Sequence, residues 1–298
     1  MPSKLEKVQK LSSFWIKMIA FSTMVIDHVG LFLWQQTTST TDAFYVAGYV
    51  LRCIGRLAFP LFVLLLVEGL IHSKDVRKYL LRLAMLLGLV MVVQIFLYYF
   101  YNPEIGANPF IDLVINGLFI YFITKKGKEK LWAALPLAFV LLSTTVNLLE
   151  LSSLNLVISW FPAYLRMGYS IFGFLLTVAF YYAYSLAAKV VFNYDRSEYA
   201  VETKDLLNVT QYRGLVNIIM AMSLFLLNII IWLLPYLSRG LDLYFADVQT
   251  WSLFAGLLII LYNGRRGYDA KWFRFASYAF FPAHIALITI IFALIFGI

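Results

Sequence analysis

The first apolar stretch of the chain combines three ionisable side chains that could do chemistry. The segment KMIAFSTMVIDHVGLFLW, residues 17–34, contains Lys17, Asp27 and His28. An ionisable group inside a bilayer is costly unless it is paired, hydrated or functional. On a helix, the eleven residues from Lys17 to His28 make about three full turns, so both side chains share a face, about 16 Å apart along the axis. A histidine in this setting is suited to proton transfer, because imidazole titrates near neutral pH.

The second apolar stretch adds two arginines. It reads LRCIGRLAFPLFVLLLVEGLIHS, and Arg52 and Arg56 are four residues apart. That spacing places both on one helical face, in the predicted outer half of the membrane. Pro60 is expected to loosen the backbone beside them. Two interpretations stay open, because the arginines could neutralise Asp27 or could stabilise developing negative charge during a reaction.

Other apolar stretches contribute further ionisable residues. Glu68 lies near the inner end of the second stretch, Asp112 and Asn116 share a face in NPFIDLVINGL, and His284 lies in FFPAH. Each could simply make a hydrogen bond between packed helices. Because polar residues in membranes face an interior cavity, however, several of them on different helices indicate one shared polar cavity.

The composition defines the elements that must position these residues. The chain has 298 residues, of which 62% are hydrophobic and 13% charged, with a mean hydropathy of +0.81. These values are typical of an integral membrane protein. A single cysteine excludes an intramolecular disulfide and a CxxC metal site, and we predict no metal. The net charge of +8 falls mostly in loops and no nucleic-acid motif is present, so we predict no nucleic-acid partner.

Nine apolar stretches have the character of membrane helices, which need about 20 mostly apolar residues. They cover residues 14–34, 46–71, 79–101, 109–124, 131–149, 168–192, 214–236, 247–263 and 276–296. Residues 154–166 are too few to span and are expected to be re-entrant or interfacial; if they cross, the count is ten. We therefore predict an all-α polytopic membrane protein. Residues 1–298 would form a single domain, a bundle of about nine transmembrane helices around a polar cavity.

The basic residues of the loops predict the orientation. Lys and Arg cluster before the first stretch and after the second, fourth, sixth and eighth, whereas the intervening loops contain very few. Because these residues favour the cytoplasmic side, we predict a cytoplasmic N-terminus and an external C-terminus in the cell membrane. The longest polar segment, residues 193–212, is then a cytoplasmic loop.

Several segments resemble the successive motifs of the TraX family, which is named for a membrane protein that acetylates the N-terminus of conjugative pilin. The segments are MIAFSTMVIDHVG, LRCIGRLAFPLFVLLLVEGLIHS followed by RKYLLRL, LLIILYNGRRG, and SYAFFPAHIAL. That family is similar to a wider group of transmembrane acyltransferases, including heparan-α-glucosaminide N-acetyltransferase and the bacterial acyltransferase type 3 proteins. Members of the latter carry Arg/Lys-x10-His on their first helix, a spacing that Lys17 and His28 match.

The resemblance implies an activity and roles for particular residues. It makes His28 the catalytic histidine, and it implies that cytoplasmic acyl-CoA, with acetyl-CoA as donor substrate, modifies an acceptor outside or in the membrane. Such a reaction needs a base or a covalent acyl acceptor, for which His28 is suited. It also needs an oxyanion stabiliser, for which Arg52 and Arg56 are suited, while Asp27 could orient His28. A cationic cradle for the CoA phosphates would come from four basic residues predicted near the inner side: Lys17, Arg82, Arg265 and Arg266.

Two other classes of function fit the same residues. A transporter or ion-coupled carrier also uses intramembrane Asp, Glu, Arg and His. An inactive structural or assembly subunit is a third class. Within the acyltransferase interpretation the acceptor stays open: an amine or hydroxyl of a peptide N-terminus, a glycan or a lipid headgroup.

Overall fold

The computed structural model describes residues 8–100, 108–152, 156–195, 210–238 and 240–296. Within these ranges the structure is helical, without a named strand and with two isolated β-bridges, Leu11 to Tyr262 and Asn108 to Met167. The α-helices are α1 (Ser13–Gln35), α2 (Ala43–Gly55), α3 (Ala58–His72), α4 (Val76–Phe100), α5 (Pro109–Ile123), α6 (Ala134–Ser152), α7 (Ser170–Asp195), α8 (Thr210–Leu237), α9 (Ala246–Gln249), α10 (Ala255–Ile260) and α11 (Lys271–Phe296). Short 3-10 helices cover Gly127–Ala133, Ala163–Leu165 and Thr250–Phe254.

Seven helical segments are long and apolar enough to cross a membrane. They are Ser13–Gln35, Ala43–His72, Val76–Phe96, Gly127–Ser152, Ser170–Val191, Tyr212–Leu237 and Lys271–Phe296. The other two predicted spans correspond to shorter apolar helical segments, Pro109–Ile123 and Ala246–Ile260. An all-helical, multi-pass membrane protein is therefore confirmed. The nine-helix count stays a prediction, because a 15-residue helix rises only about 22 Å against a hydrocarbon core of about 30 Å.

The first of two compact units comprises Met1–Leu65, Val178–Trp232 and Asp247–Ala270. In it, α1 and α2 form a helical hairpin whose turn ends at Asp42, and the Asp42 carboxylate accepts the Phe44 N–H at 2.7 Å. This cap satisfies one of the donors that every helix leaves open at its start. Trp34 at the end of α1 packs edge-on against Tyr45 of α2. The hairpin sets the helices antiparallel and fixes which residues of each face the other.

The second unit comprises Leu66–Thr177, Leu233–Ala246 and Lys271–Ile298. Its α5 packs against α4 and α6, and begins at the sequence Asn108-Pro109. The Asn108 side chain accepts the Phe110 N–H at 2.9 Å, and proline is favoured at the first helical position, where its missing N–H costs nothing. Phe110 packs edge-on against Phe281 of α11, and Phe119 against Phe174 of α7.

Two loop predictions can be compared with these elements. Of residues 154–166, the described part forms turns and one 3-10 turn, so it makes no membrane-spanning helix there. The predicted loop 193–212 lies mostly at residues 196–209, outside the described residues. The prediction of one domain over 1–298 stays a prediction.

Candidate functional site

Three glycines bring the backbones of α1 and α2 into direct contact. A Cβ atom on Gly30 would lie 2.9 Å from the Gly48 carbonyl oxygen, and one on Gly48 would lie 2.8 Å from the Gly30 oxygen. A Cβ atom on Gly55 would overlap the Asp27 side chain. Small residues at a helix interface allow such an approach in membranes. The glycines therefore leave room for an ionisable side chain between two helices.

Asp27 uses this room to contact both arginines of α2. Its Oδ2 lies 3.3 Å from Nη1 of Arg52, and its Oδ1 accepts a hydrogen bond from Nη2 of Arg56. The Asp27 side chain is 14% exposed and that of Arg56 is 11% exposed. Opposite charges this well desolvated attract strongly, and removing one partner alone would leave a costly buried charge. The predicted contact between Asp27 and the arginine pair is thus present in the structure.

The helix is interrupted directly beside this cluster. The α2 helix ends at Gly55, Arg56 serves as its C-terminal cap, and α3 begins at Ala58. Pro60 lies three residues into α3, where its missing N–H leaves the backbone carbonyl four residues earlier, that of Arg56, without a helical partner. Pro60 was expected to loosen the backbone here, and the structure has a break between two α-helices, which separates the arginine pair from the rest of the second span.

His28 is half-buried and makes a hydrogen bond to its own helix. Its Nδ1 lies 2.9 Å from the Met24 carbonyl oxygen. Because a carbonyl oxygen only accepts, Nδ1 carries the proton, and in the neutral ring the lone pair is on Nε2. The ring donates this hydrogen bond to the Met24 carbonyl, and the Asp27 carboxylate contacts the arginines. The arrangement provides a histidine whose Nε2 can accept a proton.

The start of α1 packs against the YNGRRG segment. The Ser13 N–H donates to the Arg265 carbonyl at 2.8 Å, the Phe14 N–H donates to the Arg266 carbonyl at 3.0 Å, and the Ser13 and Tyr262 hydroxyls lie 2.7 Å apart. Lys17 lies one helical turn after Ser13. Of the four basic residues predicted to cradle phosphates, the structure therefore brings three, Lys17, Arg265 and Arg266, to one end of the first unit.

A buried arginine that the sequence prediction omitted lies under this segment. Arg213 of α8 is only 3% exposed, donates from Nη1 to the Tyr184 hydroxyl at 2.7 Å and stacks on the Tyr262 ring at 4.4 Å. A Cβ atom on Gly264 would lie 3.3 Å from its side chain. Asn217, one turn later, donates to the Tyr262 carbonyl at 2.7 Å. Arg213 and Asn217 are four residues apart and so share a face of α8, but that spacing alone does not show that the face is buried.

The remaining predicted residues lie in the second unit. Arg82 is exposed on α4 and donates from Nε to the Lys78 carbonyl at 3.1 Å. Glu68 is buried, and its Oε2 lies 3.3 Å from Nδ1 of His72. His284 is buried and stacks on Phe280, whose carbonyl oxygen lies 2.9 Å from its Nδ1.

Asp112, also in the second unit, has a clear structural contact. It is fully buried and accepts the backbone N–H groups of Gly168 at 2.7 Å and Tyr169 at 3.1 Å. These residues immediately precede α7, so Asp112 satisfies donors at the start of that helix. A shared polar cavity joining Asp112, Glu68 and His284 to the α1–α2 cluster stays a prediction.

Comparison with known proteins identifies the family. A family model described as TraX protein matches residues 12–292. The chain belongs to the TraX family. The matched range contains every residue predicted for the site, from Lys17 to His284, and the family resemblance of the motifs is confirmed.

One curated relative of this TraX-family chain has a name that refers to pili. The chain is 38% identical over 72 residues to the probable fimbrial assembly protein FimC, serogroup H1, of Dichelobacter nodosus. The similarity covers 24% of this chain and 27% of that protein, so the match spans about a quarter of the relative's length. No solved structure matches the chain.

Proposed function

We propose that this TraX-family protein is a membrane acyltransferase that moves an acetyl group from acetyl-CoA to an amine or hydroxyl. The observation that carries the proposal is the cluster at α1 and α2: the His28 ring is held at Nδ1 by the Met24 carbonyl, and the adjacent residue, Asp27, contacts both Arg52 and Arg56. Acyl transfer from a thioester needs a base and a stabiliser of negative charge, and this cluster contains candidates for both. Family membership supports the same chemistry.

His28 acts as the base in the proposed reaction. Its Nε2 removes a proton from the acceptor, whose nitrogen or oxygen attacks the thioester carbonyl and forms a tetrahedral intermediate. The intermediate collapses, the carbon–sulfur bond breaks, and the proton on His28 passes to the departing CoA sulfur. The products are the acetylated acceptor and CoA, and no other reactant is required.

Asp27 is a positioning residue in this proposal. It holds one nitrogen of Arg52 and one of Arg56, and a guanidinium carries five N–H donors in a rigid plane. The positive charge of the two guanidinium groups stabilises the oxyanion in a low-dielectric site. The carboxylate offsets part of the repulsion between the two guanidinium groups, so both can remain close together inside the membrane.

The donor binds where the basic residues of the first unit gather. Lys17, Arg265 and Arg266 lie at the start of α1, which the loop charges predict to be cytoplasmic, and they attract the CoA phosphates. Lys17 and His28 lie on one face of α1, about 16 Å apart along its axis. That face offers a path from the donor's phosphates to its thioester. Arg82 belongs to the proposed cradle on the sequence prediction alone.

The acceptor we propose is the N-terminal amine of a pilin-like peptide, since the TraX family is linked to pilin acetylation and the relative is named as a fimbrial assembly protein. A glycan or lipid headgroup is the alternative. The test uses purified protein in liposomes with radiolabelled acetyl-CoA and each acceptor class. Saturable release of CoA with label on the acceptor supports the enzyme. Acceptor flux across the bilayer without CoA release would instead show a transporter.

A further inference from the structure

A groove that the proposed reaction does not use lies within the second unit. It has a volume of about 550 Å³ and lies between α4, α5 and the 3-10 helix Gly127–Ala133. Its apolar lining is contributed by Leu80, Leu81, Ala84, Val114, Leu118, Phe122 and Trp132, and its polar lining by Arg77, Tyr121 and Glu129. This volume falls in the range of small-ligand sites, which are about 300–1,000 Å³ and mostly apolar with a few polar groups.

Two cations contact Tyr121, one of the polar residues that line the groove. Arg77 donates a hydrogen bond from Nε to the Tyr121 hydroxyl, and the Lys125 ammonium lies 4.4 Å from the centre of the Tyr121 ring. Two positive groups close to one phenol repel each other. Glu129 supplies one carboxylate to the lining, which compensates one of them. An anion bound here would interact favourably with both cations, and arginine in particular binds phosphate through several donors.

The surrounding loops strengthen the positive field. Residues 74–78 read KDVRK and residues 125–130 read KKGKEK, giving seven lysines and arginines against two carboxylates. Basic pockets between membrane helices on one side of the bilayer bind anionic lipid headgroups. The field therefore favours a negatively charged ligand over a neutral one.

The position of the lining residues along α4 indicates that the ligand is a membrane lipid. Trp132 and Leu131 are 57% and 74% exposed on the 3-10 helix, the type of residue that anchors a segment at the lipid–water interface. From that level the apolar lining continues along α4 through Leu80 and Ala84, in a helix long and apolar enough to span. A ligand with a charged head and a hydrocarbon tail matches both ends.

We propose that this groove binds an anionic glycerophospholipid from the leaflet facing the basic loops. The phosphate lies at Arg77 and Lys125, and one acyl chain follows Leu80, Ala84 and Leu118. The site is separate from the proposed acetyl transfer and does not depend on it.

The test measures lipid binding by the full-length protein, delipidated in a neutral detergent. Phosphatidylglycerol is expected to raise Tm saturably and to stay bound in native mass spectrometry, whereas phosphatidylcholine is not. The double variant Arg77→Gln, Lys125→Gln should weaken phosphatidylglycerol binding at least about tenfold. A matched control, Lys189→Gln, Lys271→Gln, also removes two positive charges, both on exposed lysines away from the groove, and should bind as the wild type does.

A second variant tests the hydrocarbon end without changing charge. Ala84→Phe fills the groove and should reduce phosphatidylglycerol binding while keeping the melting transition in lipid-free detergent. The proposal is overturned if phosphatidylcholine binds equally well, or if both variants keep wild-type lipid affinity. It is also overturned if acetyl-CoA displaces the lipid. The same holds if a second copy of the chain occupies the groove and added lipid does not displace it. Acetyl transfer, measured separately, is unaffected by these outcomes.

Discussion

The Asp27 side chain fills the space that a Cβ atom on Gly55 would occupy. This places a carboxylate from α1 against the backbone of α2, one residue before Arg56, whose guanidinium it contacts. The ion pair and the close helix contact therefore depend on each other. A larger residue in place of Gly55 would leave no room for Asp27, and without Asp27 the two arginines would lose the carboxylate that both contact. The candidate site is built on this hairpin.

Gly55→Ala should destabilise the protein and displace Asp27. The added methyl would overlap side-chain and backbone atoms of Asp27, and overpacking of this kind costs about 1–3 kcal/mol. Thermal unfolding in detergent measures the loss. Gly88→Ala is the matched control, because a Cβ atom on Gly88 has nothing within 4 Å. Equal Tm values for the two variants would show that the close contact between Gly55 and Asp27 does not affect stability.

Removing Asp27 alone should cost more than removing Asp27 and Arg56 together. Asp27→Ala leaves Arg52 and Arg56 without their carboxylate, and breaking a buried ion pair from one side costs about 3–5 kcal/mol. The variant Asp27→Leu, Arg56→Met takes away one charge of each sign and should recover part of that loss. A double-mutant cycle on Tm checks the coupling. Additive losses would contradict an energetically important pair.

Lys17→Gln and the variant Arg265→Gln, Arg266→Gln should act on donor affinity. If these side chains hold CoA phosphates, KM for acetyl-CoA rises roughly tenfold, about 1.4 kcal/mol, while kcat changes little. Steady-state kinetics at several donor concentrations separates the two constants. Lys189→Gln, an exposed lysine on α7, is the control. A fall in kcat with unchanged KM would remove these residues from the cradle.

Asp75 should give the stability of the second unit a dependence on acidic pH. The Lys78 N–H donates to its carboxylate at 3.1 Å, and this hydrogen bond lowers the pKa of Asp75 below its ordinary value of 3.8. A lowered pKa in the folded state means that the stabilisation is complete above about pH 4 and disappears as the pH falls through the folded pKa. The Tm difference between wild type and Asp75→Ala should shrink below about pH 4.

Asp75→Asn is the control for that measurement. Asparagine keeps an oxygen that can accept the Lys78 N–H but does not titrate, so its Tm should not carry this acid-dependent change. A difference between wild type and Asp75→Ala that stayed constant down to pH 3 would show that ionisation of the carboxylate contributes nothing.

Helical spacing alone predicted much of the candidate site. A four-residue interval placed Arg52 and Arg56 on one face, and the cost of an aspartate in a membrane made their pairing with Asp27 one of the two open interpretations. The sequence also places Gly48 and Gly55 on the same helical face as Arg52, because the three residues follow the i, i+4, i+7 pattern. It did not predict that these glycines bring α2 close to α1, since periodicity gives the face of a helix but neither its partner nor the distance between the two helices.

Other features depended on contacts that one sequence does not contain. Arg213 lies at the start of an apolar stretch, where an arginine is typical of a positive-inside anchor, and only its contacts with Tyr184 and Tyr262 show it to be buried. The sequence left open whether Asp27 orients His28 or pairs with an arginine, and the structure shows the arginine contacts and a hydrogen bond from His28 Nδ1 to the Met24 carbonyl.

We propose that His28 is the base in acetyl transfer. Comparing His28 variants in one assay tests this role most directly. Purified wild type, His28→Ala and His28→Gln are incubated in liposomes with radiolabelled acetyl-CoA and acceptor peptide. His72→Ala is the control, because His72 makes the same bond to a carbonyl four residues back, at 3.0 Å. All variants are expected to keep a cooperative melting transition, and transfer is expected to fall at least about a hundredfold in the two His28 variants but not in His72→Ala. Transfer by His28→Ala at the wild-type rate would contradict the proposed role of His28.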